Sequence, residues 1–121
     1  MNHLRTAGRP LYACAMRPRR AGRLPHNGDI ELLRHAVVHA PGAAERDIRR
    51  AAYEGDWLPP PLGPFLDKVR DDPVAVTDAD VEALRAAGYS EDAILELTAA
   101  AAVGAAGRRY DVGLRALRGE L

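Results

Sequence analysis

The stretch Thr77–Leu117 constrains the fold of this 121-residue chain more than any other part. Thr77 and Asp80 have the spacing of a capping box, which predicts the first turn of a helix. Gly88 stands where a helix can end in a left-handed residue. Ser90 follows it closely and can cap a further helix. The stretch therefore predicts a short helix, a stop and a second, longer helix.

The longer helix has an unusual middle, because every residue from Ala99 to Gly107 is small or apolar. A helix without a polar face is expected to be surrounded by protein. Gly104 and Gly107 each cost about 1 kcal/mol relative to alanine inside a helix. We expect them at points where another backbone approaches closely.

Three further helices are predicted upstream, and no segment shows the alternating pattern of a strand. They cover about residues 28–40, 43–54 and 64–71, the last with Pro64 at its first position. Trp57 lies before the third helix and is expected to fill the join between helices. One arc of the first helix is apolar and is expected to face the core; it comprises Ile30, Leu33, Ala36, Val37 and Ala40. The predicted fold class is all-α, with about five helices and a long Ala-rich C-terminal helix.

Small side chains supply much of the apolar content, since 47% of residues are hydrophobic but only 5% are aromatic. Alanine removes little area from water, so a core built from it gives little stabilisation per residue. Such helices commonly gain stability by burying a face against a second copy. We therefore expect a homo-oligomer.

Charge is unevenly spread, although the formal net charge is zero. Residues 1–28 hold six arginines and no acid, while all 17 acidic residues follow them. Residues 1–26 show no sustained periodicity, so we interpret them as a basic, disordered arm before a helical domain at 27–121. Such an arm can contact nucleic acid or membranes. It lacks the interleaved aromatic side chains of a nucleic-acid platform, and no run is long enough for a membrane span.

Cys14 is the only cysteine, so an intramolecular disulfide is excluded. This fits a reducing cytosol, and we expect a cytoplasmic protein. Cys14 has no resolving partner for peroxide chemistry and lies in the arm. No cofactor is predicted.

Glu31, His35 and His39 repeat at four-residue spacing along one side of the first helix. A Glu–His pair could act as general acid and base on enolisable acids or lactones. The two histidines could also hold a metal, but a third-ligand motif is lacking, so no metal site is assigned. The alternative is a solvated polar face opposite the apolar arc.

Two other groups of residues are weaker candidates. Arginines near the C-terminus could form an anion site between subunits, although a helix C-terminus favours cations in any case; they are Arg108, Arg109, Arg115 and Arg118. Tyr53, Trp57 and Tyr89 could line a small pocket, or could be the large core residues of an Ala-rich bundle.

The sequence VTDADVEALRAAGYSEDAI, followed by a long helix rich in small residues, resembles the C-terminal half of the alkylhydroperoxidase D-like superfamily. That superfamily includes the carboxymuconolactone decarboxylases. With the helix pair before it, the resemblance covers about residues 28–118. It implies an all-helical domain that assembles into dimers, trimers or hexamers.

The peroxidase branch of this superfamily works through a Cys-x-x-Cys pair, in which one thiolate attacks peroxide and the second resolves the sulfenate. The resemblance places that pair near residues 27–30, where this chain reads Asn-Gly-Asp-Ile. The thiol peroxidase mechanism is therefore not carried over.

Three hypotheses follow from the sequence. The first is a protein of this superfamily without thiol peroxidase activity and of unknown reaction, with no assigned small-molecule ligand. The second is a cysteine-independent decarboxylase or lyase that uses Glu31 with His35 or His39. The third is a non-catalytic oligomeric interaction module whose basic arm recruits an acidic partner.

Overall fold

A computed structural model describes residues 27–121, and these contain five α-helices, one 3₁₀ turn and no strand. The elements are α1 (Asn27–His39), α2 (Arg46–Glu54), α3 (Leu62–Asp71), the 3₁₀ turn (Pro73–Ala75), α4 (Asp78–Ala86) and α5 (Glu91–Leu117). The all-α prediction is confirmed for this part of the chain, as is the long C-terminal helix. The predicted arm at residues 1–26 lies outside the described residues. None of the helices within 27–121 has the length and apolar content that a membrane crossing requires.

The predicted start and stop signals around α4 and α5 are confirmed. The Asp80 amide donates to the Thr77 hydroxyl at 3.3 Å, and the Thr77 amide donates to the Asp80 carboxylate at 2.9 Å. Gly88 has a φ of 99°, and the Ser90 hydroxyl accepts from the Ala93 amide at 3.1 Å. These bonds satisfy amides that the first turn of a helix leaves without partners, so both helices begin where the sequence indicates.

The core lies between the inner side of α5 and the helices before it. Its largest fully buried side chains are Leu62, Leu66, Leu84 and Leu97. Burial of one such leucine contributes roughly 2 kcal/mol. Phe65 and Ile94 also belong to the cluster, together with alanines of α2 and α5. Because these are small, α2 and α5 can pack closely.

The end of α2 approaches α5 closely at Gly104. A Cβ atom on Gly104 would lie 2.1 Å from the Tyr53 carbonyl oxygen, so no other residue fits there without a shift. The predicted backbone approach is confirmed at this glycine. At Gly107 the neighbour is a side chain instead, since a Cβ there would lie 3.1 Å from Nε of Arg34.

The helix boundaries differ from the predictions at α2 and α3. α2 begins at Arg46 rather than near residue 43, because Glu96 of α5 binds the preceding loop. Its carboxylate accepts from the amides of Ala43 and Ala44, both at 2.8 Å. In α3 the first position is Leu62, so Pro64 occupies the third position and not the predicted first.

The rotation of α1 differs from the predicted one. Val38 is buried, Ile30 and Val37 are half-buried, and the rest of the predicted core-facing arc is exposed: Leu33, Ala36 and Ala40. The reason is Arg34, which donates to Asp111 of α5 at 2.8 and 3.1 Å and to the Gly107 carbonyl oxygen at 3.2 Å. This contact turns Arg34 and Val38 toward the other helices. The apolar arc is therefore rotated away from the core and is largely exposed.

Trp57 does not fill a join between helices, because the residue is 81% exposed. Its neighbour Leu58 turns inward instead and packs against the core. A Cβ on Gly63 would lie 2.0 Å from the Leu58 carbonyl oxygen, so the connector is pressed against α3 at Leu58. This close contact leaves Trp57 on the outside.

The prediction that the middle of α5 is surrounded by protein is wrong for a single chain. Ala100, Ala101 and Ala105 are buried, whereas Ala102 and Ala106 on the opposite side are exposed. The elements described here cover only one side of the helix.

Candidate functional site

The three predicted site residues line one open cleft between α1 and α2. The cleft has a volume of about 300 Å³. Glu31, His35 and His39 form its α1 wall, and the other lining residues are Arg34, Val38, Arg50, Tyr53 and Glu54. The structure thus brings the predicted residues together, although all three side chains remain exposed to solvent.

The two imidazole rings are close neighbours, with centroids 4.4 Å apart and planes inclined by 34°. Their four-residue spacing places them one turn apart on the same side of α1. Glu31 is turned toward Arg34, with 3.7 Å between its carboxylate and the guanidinium. Within residues 27–121 no hydrogen bond joins Glu31 to either histidine. The predicted Glu–His pair therefore lines one cleft but does not form a hydrogen-bonded dyad.

The pKa of His39 is lowered from its ordinary value, first by partial desolvation and then by nearby positive charge. That charge comes from His35 and from Arg46, Arg49 and Arg50. A lowered pKa keeps the imidazole of His39 neutral near pH 7, so that one ring nitrogen can accept a proton. Chemically, the cleft offers a neutral base in contact with water.

A metal centre is not formed by these side chains. Among the residues that the structure describes, no group of three or more His, Cys, Asp or Glu is arranged to hold a metal ion. His35 and His39 together supply two nitrogens, whereas a stable zinc site commonly has three or four protein ligands.

The arginines of α5 that suggested an anion site cap other helices instead. Arg108 donates to the Tyr53 carbonyl oxygen at 2.6 Å, near the end of α2. Arg109 donates to the Arg70 carbonyl oxygen at 2.9 Å, near the end of α3. Cations at helix C-termini satisfy free carbonyl groups and are favoured by the helix dipole. Arg115 and Arg118 are exposed beyond these contacts.

The three large aromatic residues do not share a pocket. Tyr53 lies in the α1/α2 cleft, Trp57 beside the proline-rich connector, and Tyr89 in a third cleft against the loop before α2. Cys14 lies outside the described residues.

A second surface was missed as a site by sequence reasoning, and it lies on the other side of α1. We call it the α1/α5 groove. Two neighbouring clefts of about 220 and 260 Å³ open into it. Its apolar lining residues are Ile30, Leu33, Ala36, Val37, Ala40, Leu95, Ala99, Val103, Ala106 and Tyr110. The sequence signal lies in the apolar arc of α1, which was expected to face the core, and in the small, apolar middle of α5, which was expected to be surrounded by protein.

The charged groups at the base of the α1/α5 groove are engaged with the protein itself. Arg49 is buried and donates to the Ala40 carbonyl oxygen. The pKa of Glu96 is lowered, chiefly by the hydrogen bonds from the amides of Ala44 and Ala43. The groove therefore presents an apolar surface, and the Arg49 and Glu96 side chains at its base each have a partner in the chain, although Nε of Arg49 is buried without one among the described residues.

No family model, curated protein or solved structure matches this chain. The fold and the two surfaces define a class: an all-helical domain with a polar α1/α2 cleft and an apolar α1/α5 groove.

Proposed function

We propose that the chain is an alkylhydroperoxidase D-like, carboxymuconolactone decarboxylase-like module that self-associates and lacks thiol peroxidase activity. The family assignment rests on the resemblance of VTDADVEALRAAGYSEDAI and the long helix after it. Self-association is supported most by the α1/α5 groove, in which large apolar side chains are exposed to solvent. Leu33 is 52% exposed and Leu95 is 68% exposed. Contiguous apolar surface of this kind is typical of protein–protein contacts.

Loss of peroxidase chemistry follows from the thiol count. The mechanism needs one cysteine to attack peroxide and a second to resolve the sulfenate. This chain has Cys14 alone, and the residues at positions 27–30 include no cysteine. Peroxide assays with a dithiol reductant should show no turnover for the wild type or for Cys14→Ser. Turnover that survives Cys14→Ser would contradict this part of the proposal.

Self-association is tested separately by sedimentation velocity of the full chain at micromolar concentration. We expect a species larger than the 13.1 kDa chain. A single monomeric boundary across the concentration range would reject self-association and would leave the peroxidase result unaffected.

A second candidate function rests on the α1/α2 cleft, where His39 has a lowered pKa beside His35 and Glu31. In this account the neutral imidazole of His39 removes a proton next to a carbonyl group of an enolisable acid or lactone. The electron pair left on that carbon expels a leaving group from the neighbouring carbon, such as the carboxylate oxygen of an opening lactone, and the imidazolium gives its proton to that group.

This candidate is tested by proton exchange into deuterated water with small lactones and β-keto acids, followed by NMR. The wild type should accelerate exchange at the carbon next to the carbonyl, and His39→Asn should lower that rate by roughly 10²–10⁴-fold. Leu32→Asn, on an exposed position of the same helix, is the matched control. Equal rates for His39→Asn and the wild type would exclude the mechanism.

A further inference from the structure

The outward side of α5 carries an apolar row that lies opposite the core. Leu95, Ala99, Ala102 and Ala106 follow one another at intervals of four, three and four residues. Such spacing keeps side chains on one stripe of a helix, as in a coiled-coil seam. Between Leu95 and Ala106 the stripe contains no charged residue. We call these four residues the α5 seam.

We propose that a second copy of the chain packs against the α5 seam with its own α5 running in the opposite direction. The proposal rests on the self-association inferred above, and it adds the partner helix, its direction and its register.

The spacing of the seam is symmetric, and this sets the register. A twofold axis at the midpoint between Ala99 and Ala102 brings Ala99 against the partner's Ala102. The same axis brings Leu95 against the partner's Ala106, and the reverse pair follows by symmetry. The alanines allow the two helix axes to approach toward the short end of the usual range of about 8–10 Å.

Charges beside the seam favour antiparallel over parallel pairing. Glu91 and Arg109 are eighteen residues apart, which is five turns at 3.6 residues per turn, so both lie on the same flank of α5. In the antiparallel arrangement Glu91 approaches the partner's Arg109, and two opposite-charge pairs form. In a parallel, in-register arrangement Glu91 and Arg109 would lie on the opposite flank of the pair from the partner's copies and at different heights, so neither opposite-charge pair would form.

Glu91 and Arg109 keep hydrogen-bonding capacity for such pairs. Only one oxygen of Glu91 is engaged within the described residues, by Arg85 at 2.7 Å. Arg109 uses Nη2 for the Arg70 carbonyl oxygen and has further donors on its guanidinium. The contacts within one chain therefore do not exhaust either side chain.

The exposed arc of α1 widens the surface that a second α5 meets. Leu33, Ala36 and Ala40 border the α1/α5 groove beside the seam. A stable interface of standard size needs about 800 Å² from each partner. A seam of four side chains is narrower than this, so the partner helix contacts the arc of α1 as well.

Disulfide formation between two single-cysteine variants tests the direction and register. In the Cys14→Ser background, Leu95→Cys and Ala106→Cys are made separately and mixed under mild oxidation. Antiparallel pairing places position 95 beside the partner's position 106. The mixture should therefore form covalent heterodimers, seen by mass spectrometry.

Each variant alone should stay uncrosslinked. Two copies of position 95 would lie eleven residues apart along the helix axis, about 16 Å, which is beyond the Cα separation of about 7 Å that a disulfide can span. Leu95→Cys mixed with Val112→Cys is the matched control. Val112 is on another side of α5, and no heterodimer is expected.

Cross-linking of Leu95→Cys or Ala106→Cys with itself, at the level of the mixture, would overturn the antiparallel arrangement. Absence of any cross-link among variants that sediment as assemblies would place the interface elsewhere and would also overturn it. Both results leave self-association standing, whereas a monomeric wild type removes both proposals.

Discussion

The inner and outer sides of α5 have similar composition but different surroundings. On the inner side, Leu97 and Ala101 are buried against α2, α3 and α4, and Gly104 receives the backbone of α2. On the outer side, Leu95 is 68% exposed and Ala102 is exposed. Apolar content therefore does not tell how much of a helix its own chain covers. The inner side supplies the core of the chain, and for the outer side we propose a second copy as the partner.

The largest expected effect is at Leu97, which is 1% exposed. Leu97→Ala leaves a cavity in the core and should lower the free energy of unfolding by about 2–5 kcal/mol. Leu95→Ala is the matched control two residues away. In an Ala102→Arg background, expected to be monomeric, Leu95→Ala should change that free energy by less than about 0.5 kcal/mol. Urea denaturation measures the free energy of unfolding of both variants. Equal losses would show that the outer side of α5 is as closely packed within one chain as the inner side.

Gly104 tests the close packing of the inner side. Gly104→Ala forces a methyl group against the Tyr53 carbonyl oxygen, so α2 must move, and a loss of about 1–3 kcal/mol is expected in thermal or urea denaturation. Gly113 of the same helix has nothing within 4 Å of its added Cβ. Gly113→Ala should therefore stabilise the chain by up to about 1 kcal/mol, because alanine favours the helix. Stabilisation by both substitutions would contradict the packing described.

Glu96 lies at the border between the two sides and links stability to pH. Hydrogen bonds from the amides of Ala44 and Ala43 lower the pKa of Glu96 in the folded chain. The carboxylate thus stabilises the fold at pH values above the unfolded pKa. This contribution is lost as the pH falls through the lowered folded pKa.

Glu96→Gln should cost about 1–2 kcal/mol at pH 7 and remove this part of the acid sensitivity, as measured by urea denaturation at several pH values. Glu82→Gln is the control, since Glu82 belongs to an exposed ion pair with Arg85 and should change stability very little. An unchanged pH profile in Glu96→Gln would remove the proposed role of its carboxylate.

The smallest expected effect concerns α1, whose two sides also differ. NMR titration of the imidazole protons should give His39 a pKa below the ordinary value of 6.5. His35→Asn removes one nearby positive charge and should move the pKa of His39 upward. Leu32→Asn leaves the charges unchanged and should not move it. A His39 pKa at or above its ordinary value in the wild type would contradict the described electrostatics.

The sequence predicted local features best. The capping box of Thr77 and Asp80, the turn at Gly88 and the cap at Ser90 each depend on residues within a few positions of one another. Such interactions can be recognised from spacing alone, and the structure confirms them. The close approach at Gly104 was also predicted, since glycine inside a long helix needs a packing reason.

The rotation of α1 could not be predicted in the same way. It depends on Arg34 and Asp111, which are 77 residues apart, and on the space that Gly107 leaves for the guanidinium. The exposure of Trp57 likewise follows from the contact of Leu58 with Gly63. The candidate cleft was partly predictable, since Glu31, His35 and His39 share one side of a helix. The α2 residues that line the opposite wall of the cleft could not be predicted, because residue spacing within α1 does not show how α2 packs against it.

The most direct test of the central claim places an arginine at two exposed positions of α5, one inside the α5 seam and one outside it. Ala102→Arg places a charge in the seam, and Val112→Arg places the same charge at a half-exposed position outside it. Light scattering measures the mass of each variant, and circular dichroism checks that both remain helical. We expect the mass of one 13.1 kDa chain for Ala102→Arg and about twice that mass for Val112→Arg and the wild type. An undiminished mass for folded Ala102→Arg would contradict the claim that a second copy covers the outer side of α5.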